Sequence, residues 1–140
     1  MSNANLASVD TYFTALRDHD IDAVTELLHD DVLETIPLAA NGAPGAWFTF
    51  EGKADGLGYV GTIFRNFSRV EIVDREVTVS DDGRTVFVEA KGDLIVAAND
   101  APYLNVYIFR FSFDDEGLIT AIREYANPVP IAPILGVTLG

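Results

Sequence analysis

The segment 103–125 constrains the fold more than any other part of the chain. Residues 103–113 carry Tyr103, Tyr107, Phe109, Phe111 and Phe113, all at odd positions. Period-two placement of aromatics marks a strand with two unlike faces. Asp114-Asp115-Glu116-Gly117 supplies turn chemistry. A second run then alternates Leu118, Thr120, Ile122 and Glu124 with Ile119, Ala121, Arg123 and Tyr125. Two runs of this kind around a short acidic turn make a hairpin. Glu124 shares its parity with Leu118 and Ile122, so an inward turn of that row sets a carboxyl in apolar surroundings. Asn127-Pro128 then ends the strand, because proline cannot donate to a central ladder.

The rest of the chain supplies helices first and strands after. Leu6, Val9, Phe13 and Leu16 form one helical stripe. Asp20 can cap a second short helix with Ile21, Val24, Leu27 and Leu28. His29-Asp30-Asp31 ends it, and aspartates oppose the dipole at a helix C-terminus, so they are expected in a loop. A strand is expected over 32–38, with Leu33, Thr35 and Pro37 alternating against Glu34, Ile36 and Leu38. Residues 39–50 read as an Ala-, Gly- and Pro-rich loop holding Trp47, Phe48 and Phe50. A helix over 53–67 has Leu57, Val60, Ile63, Phe64 and Phe67 on its apolar side. It is weakened by Gly56, Gly58 and Gly61, which are read as permitting close packing. Strands over 69–79 and 85–95 flank Ser80-Asp81-Asp82-Gly83, a second hairpin signal. Helices segregated from mostly antiparallel strands give an α+β class.

Composition narrows the chemistry. At 140 residues one domain spanning 1–140 is expected, able to bury roughly two-thirds of its unfolded surface. The chain has no cysteine, which removes disulfides, thiol nucleophiles and thiolate metal sites. Two scattered histidines, His19 and His29, fit no zinc spacing and read as exposed residues near helix ends. The formal net charge of −13 argues against nucleic-acid and anionic-membrane partners. No apolar run approaches the ~20 residues of a membrane helix, and no signal segment opens the chain, so a cytoplasmic protein is expected.

Acid–base work then falls to Asp, Glu, Tyr and Lys. Glu124 leads, because an apolar setting raises a carboxyl pKa toward neutrality. Period two also puts Glu89, Lys91 and Asp93 on one face, a row that suits either a solvated surface or a charged site. Tyr103, Asn105 and Tyr107 share a face, which alternation alone leaves open as inner or outer. Trp47, Tyr59, Phe64 and Tyr12 are candidates for an apolar wall around a flat ligand.

Pro102-Tyr103-x-Asn105-x-Tyr107, the turn at Gly117, and Arg123-Glu124-Tyr125-x-Asn127-Pro128 together resemble the SnoaL-like branch of the nuclear-transport-factor-2-like superfamily. That group holds polyketide cyclases, phenazine-biosynthesis proteins, ketosteroid isomerases and limonene-epoxide hydrolases. The resemblance implies helices packed on a strongly curved sheet, forming a cone around a cavity. It also implies a small hydrophobic ligand, no cofactor and no metal, and a homodimer. Two catalytic readings follow from it: an isomerase or cyclase using Glu124, or an epoxide-opening enzyme using Asp93, Lys91 and Glu124 around a water. Lys91 would there replace an arginine, and Leu33 and Thr35 stand where a water-holding Tyr and Asn are expected. A non-catalytic ligand-binding or dimerisation module is the third reading. The apolar segment 129–140 is expected to be covered, with contact on a partner subunit slightly favoured over its own barrel.

Overall fold

A computed structural model describes residues 4–134. Three helices, α1 (Ala4–Asp18), α2 (Ile21–Leu27) and α3 (Lys53–Asn66), pack on a six-stranded sheet. The strands are β1 (Leu28–Ile36), β2 (Phe48–Glu51), β3 (Phe67–Val79), β4 (Thr85–Val96), β5 (Pro102–Phe113) and β6 (Ile119–Ala126). Their spatial order is β2-β1-β6-β5-β4-β3. Only β1 and β6 run parallel; every other pairing is antiparallel. The sheet is curved and unclosed, with the helices on its concave side, as the α+β cone requires. No helix among the described residues is long and apolar enough to cross a membrane.

The central strands obey the two-face reading closely. On β5, Tyr103, Asn105, Tyr107, Phe109, Phe111 and Phe113 are buried, whereas Leu104, Val106 and Ile108 are exposed. The inner row of β4 is Val86, Val88, Ala90, Gly92 and Leu94. Phe13 on α1 stands edge-on to Phe109 and Phe111, with centroids 5.1 and 5.8 Å apart, an arrangement that adds to the burial of both rings. Gly92 is the tight point of this layer. A Cβ there would overlap the Tyr107 ring and sit 3.0 Å from Leu94 Cδ1. Gly92→Ala is therefore expected to destabilise the fold by about 1–3 kcal/mol, read as a lowered melting temperature.

Several boundaries differ from expectation. His29-Asp30-Asp31 belongs to β1, which starts at Leu28, and the register with β6 slips between Leu28 and Leu33. Phe48–Glu51 forms β2 across the end of the segment expected to be loop, because pairing with β1 holds it. His19 is half-buried, takes a positive φ just past α1, and donates from Nε2 to the Phe67 carbonyl at 2.8 Å. Bonds from Asp20 N to Ala15 O and from His19 N to Leu16 O close the helix as a Schellman motif. Ile131 lines the interior, Ala132 is fully buried and Ile134 packs against the core. This part of the tail is thus covered by its own chain, while Leu135, Val137 and Leu139 lie outside the described residues.

Candidate active site

Between α3, the concave sheet and the tail lies a cavity of about 500 Å³. Its wall is apolar and aromatic: Trp47, Phe48, Phe50, Tyr59, Tyr103, Tyr107 and Phe109, with Ile36, Leu38, Ile63 and Ile131 among the aliphatic members. Phe50 stacks on Tyr59 with centroids 4.7 Å apart.

Glu124 reaches this cavity from β6. It lies directly across from Phe109, and Ile122 lies across from Phe111, so both belong to the inner face. Leu118 does not set that face, contrary to the expected parity. Ser112 pairs with Ala121 while Phe113 pairs with Ile119, which leaves Thr120 as the extra residue of a bulge. Ile119, not Leu118, is the buried residue at that end of the strand. Glu124 is half-buried; the surface it keeps borders the cavity. The Tyr59 hydroxyl donates to its two oxygens at 3.1 and 3.0 Å.

A second carboxyl stands beside it. Glu34 on β1 pairs with Ile122, which makes it a diagonal neighbour of Glu124 on the adjacent strand. Only 3% of Glu34 is exposed, and its Oε1 finds no hydrogen-bond partner among the described residues. The two acids lie under consecutive turns of α3. Gly56 and Tyr59, three positions apart on one helix face, cover Glu34 and Glu124 respectively. A Cβ at Gly56 would come 3.4 Å from Glu34 Oε1, so glycine lets the helix lie close over the acid. Gly58, by contrast, lines the cavity.

Burial dominates the electrostatics of both acids. It pushes Glu34 up to about 8, and the charge of Glu124 adds to the rise. Burial pushes Glu124 up to about 7, with the Tyr59 hydrogen bond pulling it down in part. A buried carboxylate lacking donors is costly, so Glu34 is the more reluctant of the pair to ionise. Near neutral pH the pair retains a proton, and Glu124 can give or take one. Burial and the adjacent acids also hold the Tyr59 and Tyr12 hydroxyls well above their ordinary range, so Tyr59 acts as a hydrogen-bond donor.

Of the residues singled out in the sequence, Glu124, Tyr59, Trp47, Tyr103 and Tyr107 line the cavity. Asn105 lies buried behind Tyr103 and donates to its hydroxyl at 2.7 Å. Tyr12 is core, edge-on to Phe111, and Phe64 packs against the His19 ring at 4.6 Å; neither lines the cavity. Lys91 and Asp93 are on the outer face, since the inward positions of β4 are the alternate, apolar ones. Lys91 sits 3.7 Å from Asp74, and Asp93 pairs with Arg69 at 2.9 Å. The expected Asp93-Lys91-Glu124 set is therefore not assembled. Leu33 is exposed, and β1 offers Glu34 and Ile36 to the interior instead. Glu34 was not singled out in the sequence, although an acid alternating with Val32 and Ile36 was the available signal.

Comparison with known proteins is consistent with this geometry. The model of the SnoaL-like domain family matches residues 9–122. No curated protein matches the chain significantly. Among solved structures, a proposed isomerase from Bacillus subtilis superposes with a TM-score of 0.82 at 24% identity, over 99% of each chain. A proposed polyketide cyclase from Xanthomonas campestris gives 0.75 at 22% identity, over 89% of this chain and 91% of that one. SalBIII, an epoxide hydrolase/cyclase-like enzyme of pyran ring formation in the polyether salinomycin, gives 0.74 at 20% identity, covering 90% and 92%. These identities speak for a shared fold.

Proposed function

Because the chain belongs to the SnoaL-like domain family, we propose that it is an acid–base enzyme, an isomerase or cyclase acting on a hydrophobic, oxygenated small molecule. The position of Glu124 carries this reading. It is a carboxyl on the wall of an apolar cavity, held near neutrality by burial and oriented by Tyr59. Glu124 takes a proton from an acidified carbon, or returns one to it, and Glu34 is the neighbouring proton store. The apolar wall excludes water, which strengthens the interaction of a developing negative charge with nearby donors. An epoxide-opening reaction through Asp93 loses its support, because Asp93 pairs with Arg69 outside the cavity. A homodimer is part of the same proposal. Its support is the outer face of β4 and β5, where Phe87, Leu104, Val106 and Ile108 are exposed beside Glu89 and Lys91.

The test uses neutral bicyclic ketones and lactones, beginning with 2-tetralone, incubated with the protein in D2O. Wild type is expected to accelerate exchange of the protons next to the carbonyl, followed by NMR. Exchange at the buffer rate across the panel would count against an acid–base function.

A further inference from the structure

We infer that Tyr103 and Tyr107 form a dedicated hydrogen-bond donor site for a neutral acceptor oxygen, a ketone or lactone carbonyl. This inference rests on the proposed use of the cavity as a substrate site and specifies the class of molecule it takes.

The argument starts from Asn105, which is pinned in one orientation. Its Oδ1 accepts from the backbone N–H of Val106 at 2.8 Å and of Asn127 at 3.2 Å. Its Nδ2 donates to the Asn127 carbonyl at 2.9 Å and to Tyr103 Oη at 2.7 Å. Backbone groups cannot exchange donor and acceptor roles, so the amide cannot flip without losing three of these bonds. Tyr103 Oη therefore faces a donor and must send its proton elsewhere. The Tyr107 hydroxyl is near enough to interact with it, and Asn105 is its one hydrogen-bond partner among the described residues.

The two hydroxyls own two protons, and an interaction between them uses at most one. Whichever tyrosine donates internally, one O–H is left over. Both rings line the cavity, and neither hydroxyl donates to Glu124, whose two oxygens accept from Tyr59. Ionisation offers no escape. Burial raises both phenols, and the charge of Glu124 raises them further.

The unclaimed donor and the acid lie at different levels of the sheet. Glu124 is level with Phe109; Tyr107 is two residues along β5 from there and Tyr103 six, so the backbone separations are about 7 and 20 Å at ~3.3 Å per residue. The molecule that satisfies the tyrosine donor is uncharged. Among the described residues lining the cavity there is no Lys, Arg or His, while Asp55 and Glu124 are present, so a carboxylate ligand has no counter-ion and meets like charge.

Three probes of one shape test the site: 2-acetylnaphthalene, 2-ethylnaphthalene and 2-naphthoate, titrated into wild type, Tyr103→Phe, Tyr107→Phe and Glu124→Gln. Wild type is expected to bind the ketone about 5- to 10-fold more tightly than the hydrocarbon, and the naphthoate at least about 10-fold more weakly than the ketone. The carbonyl stretch of the bound ketone is expected at lower frequency in wild type than in Tyr103→Phe. Both Tyr→Phe variants keep the ring that fills the space, and unchanged melting curves confirm that each is folded. Loss of the ketone preference in Tyr103→Phe, with its retention in Glu124→Gln, supports the donor site. A preference that survives in both Tyr→Phe variants, an unshifted carbonyl stretch, or tight naphthoate binding overturns it. Proton exchange is read separately, so a failed donor site with intact Glu124-dependent exchange leaves the proposed function standing. The converse pattern leaves the site standing without it.

Discussion

Glu124→Gln is expected to lower the rate of catalysed proton exchange by about 10²–10⁴-fold while the protein stays folded. Gln has nearly the shape of Glu and can still accept from the Tyr59 hydroxyl, so the Phe50–Tyr59 stack and the β6 register have no reason to move. What disappears is the titrating group. The rate in wild type should follow ionisation of a group near pH 7, and the variant should lose that inflection. An exchange rate within about twofold of wild type, in a variant that melts normally, would falsify the role of Glu124. The melting curve and the rate must be read together, since a misfolded variant loses activity for another reason.

Glu34→Gln is expected to act on stability, with a sign that depends on pH. The folded protein holds the Glu34 carboxyl at about 8 against an ordinary 4.5. Between these values the native state binds a proton that the unfolded chain releases, so stability falls as pH rises across the window. Below about pH 4.5 wild type and variant both carry a neutral side chain there and should melt alike. Above about pH 8 wild type bears the cost of a buried charge, or of keeping the proton, and the amide does not. The variant should then be the more stable by roughly 3–5 kcal/mol, a rise in melting temperature on the order of 10–20 °C. Thermal melts of both proteins from pH 4 to 9 measure this difference. A gap independent of pH would mean that Glu34 ionises as it does in the unfolded chain.

The parts of this site that could be read in advance were those set by local alternation. β5 announced its two faces because nearly every inward position is aromatic. Its hydrogen-bonded interior row, Tyr103 to Phe113, could only be assigned to the concave side once the helices were placed. Lys91 and Asp93 were drawn toward the site by their own spacing. The decisive signal was the intervening row of β4, Val86, Val88, Ala90, Gly92 and Leu94, which is small and apolar as an interior row should be. Glu34 was obscured for a different reason. It follows an acidic cluster, His29-Asp30-Asp31, that suggests a solvated segment, and nothing local says that a parallel neighbour and a glycine on α3 will seal it. β2 was equally hidden, since four residues in a Gly- and Pro-rich stretch become a strand only through pairing with β1. Long-range packing supplies what local periodicity lacks.

The bulge at Thr120 gives the cavity its polarity by counting alone. From the Phe113–Ile119 pair onward, a strand in which Thr120 paired regularly with Ser112 would send Ala121, Arg123 and Tyr125 inward and turn Glu124 out to solvent. The interior would then hold a guanidinium beside Glu34, an ion pair in place of two acids that share protons. One residue left out of the pairing therefore works as a phase shifter: the same side chains, read in the other frame, would replace the pair of acids by a neutralised ion pair. Whether the cavity handles protons is thus decided by whether a single residue is paired or bulged.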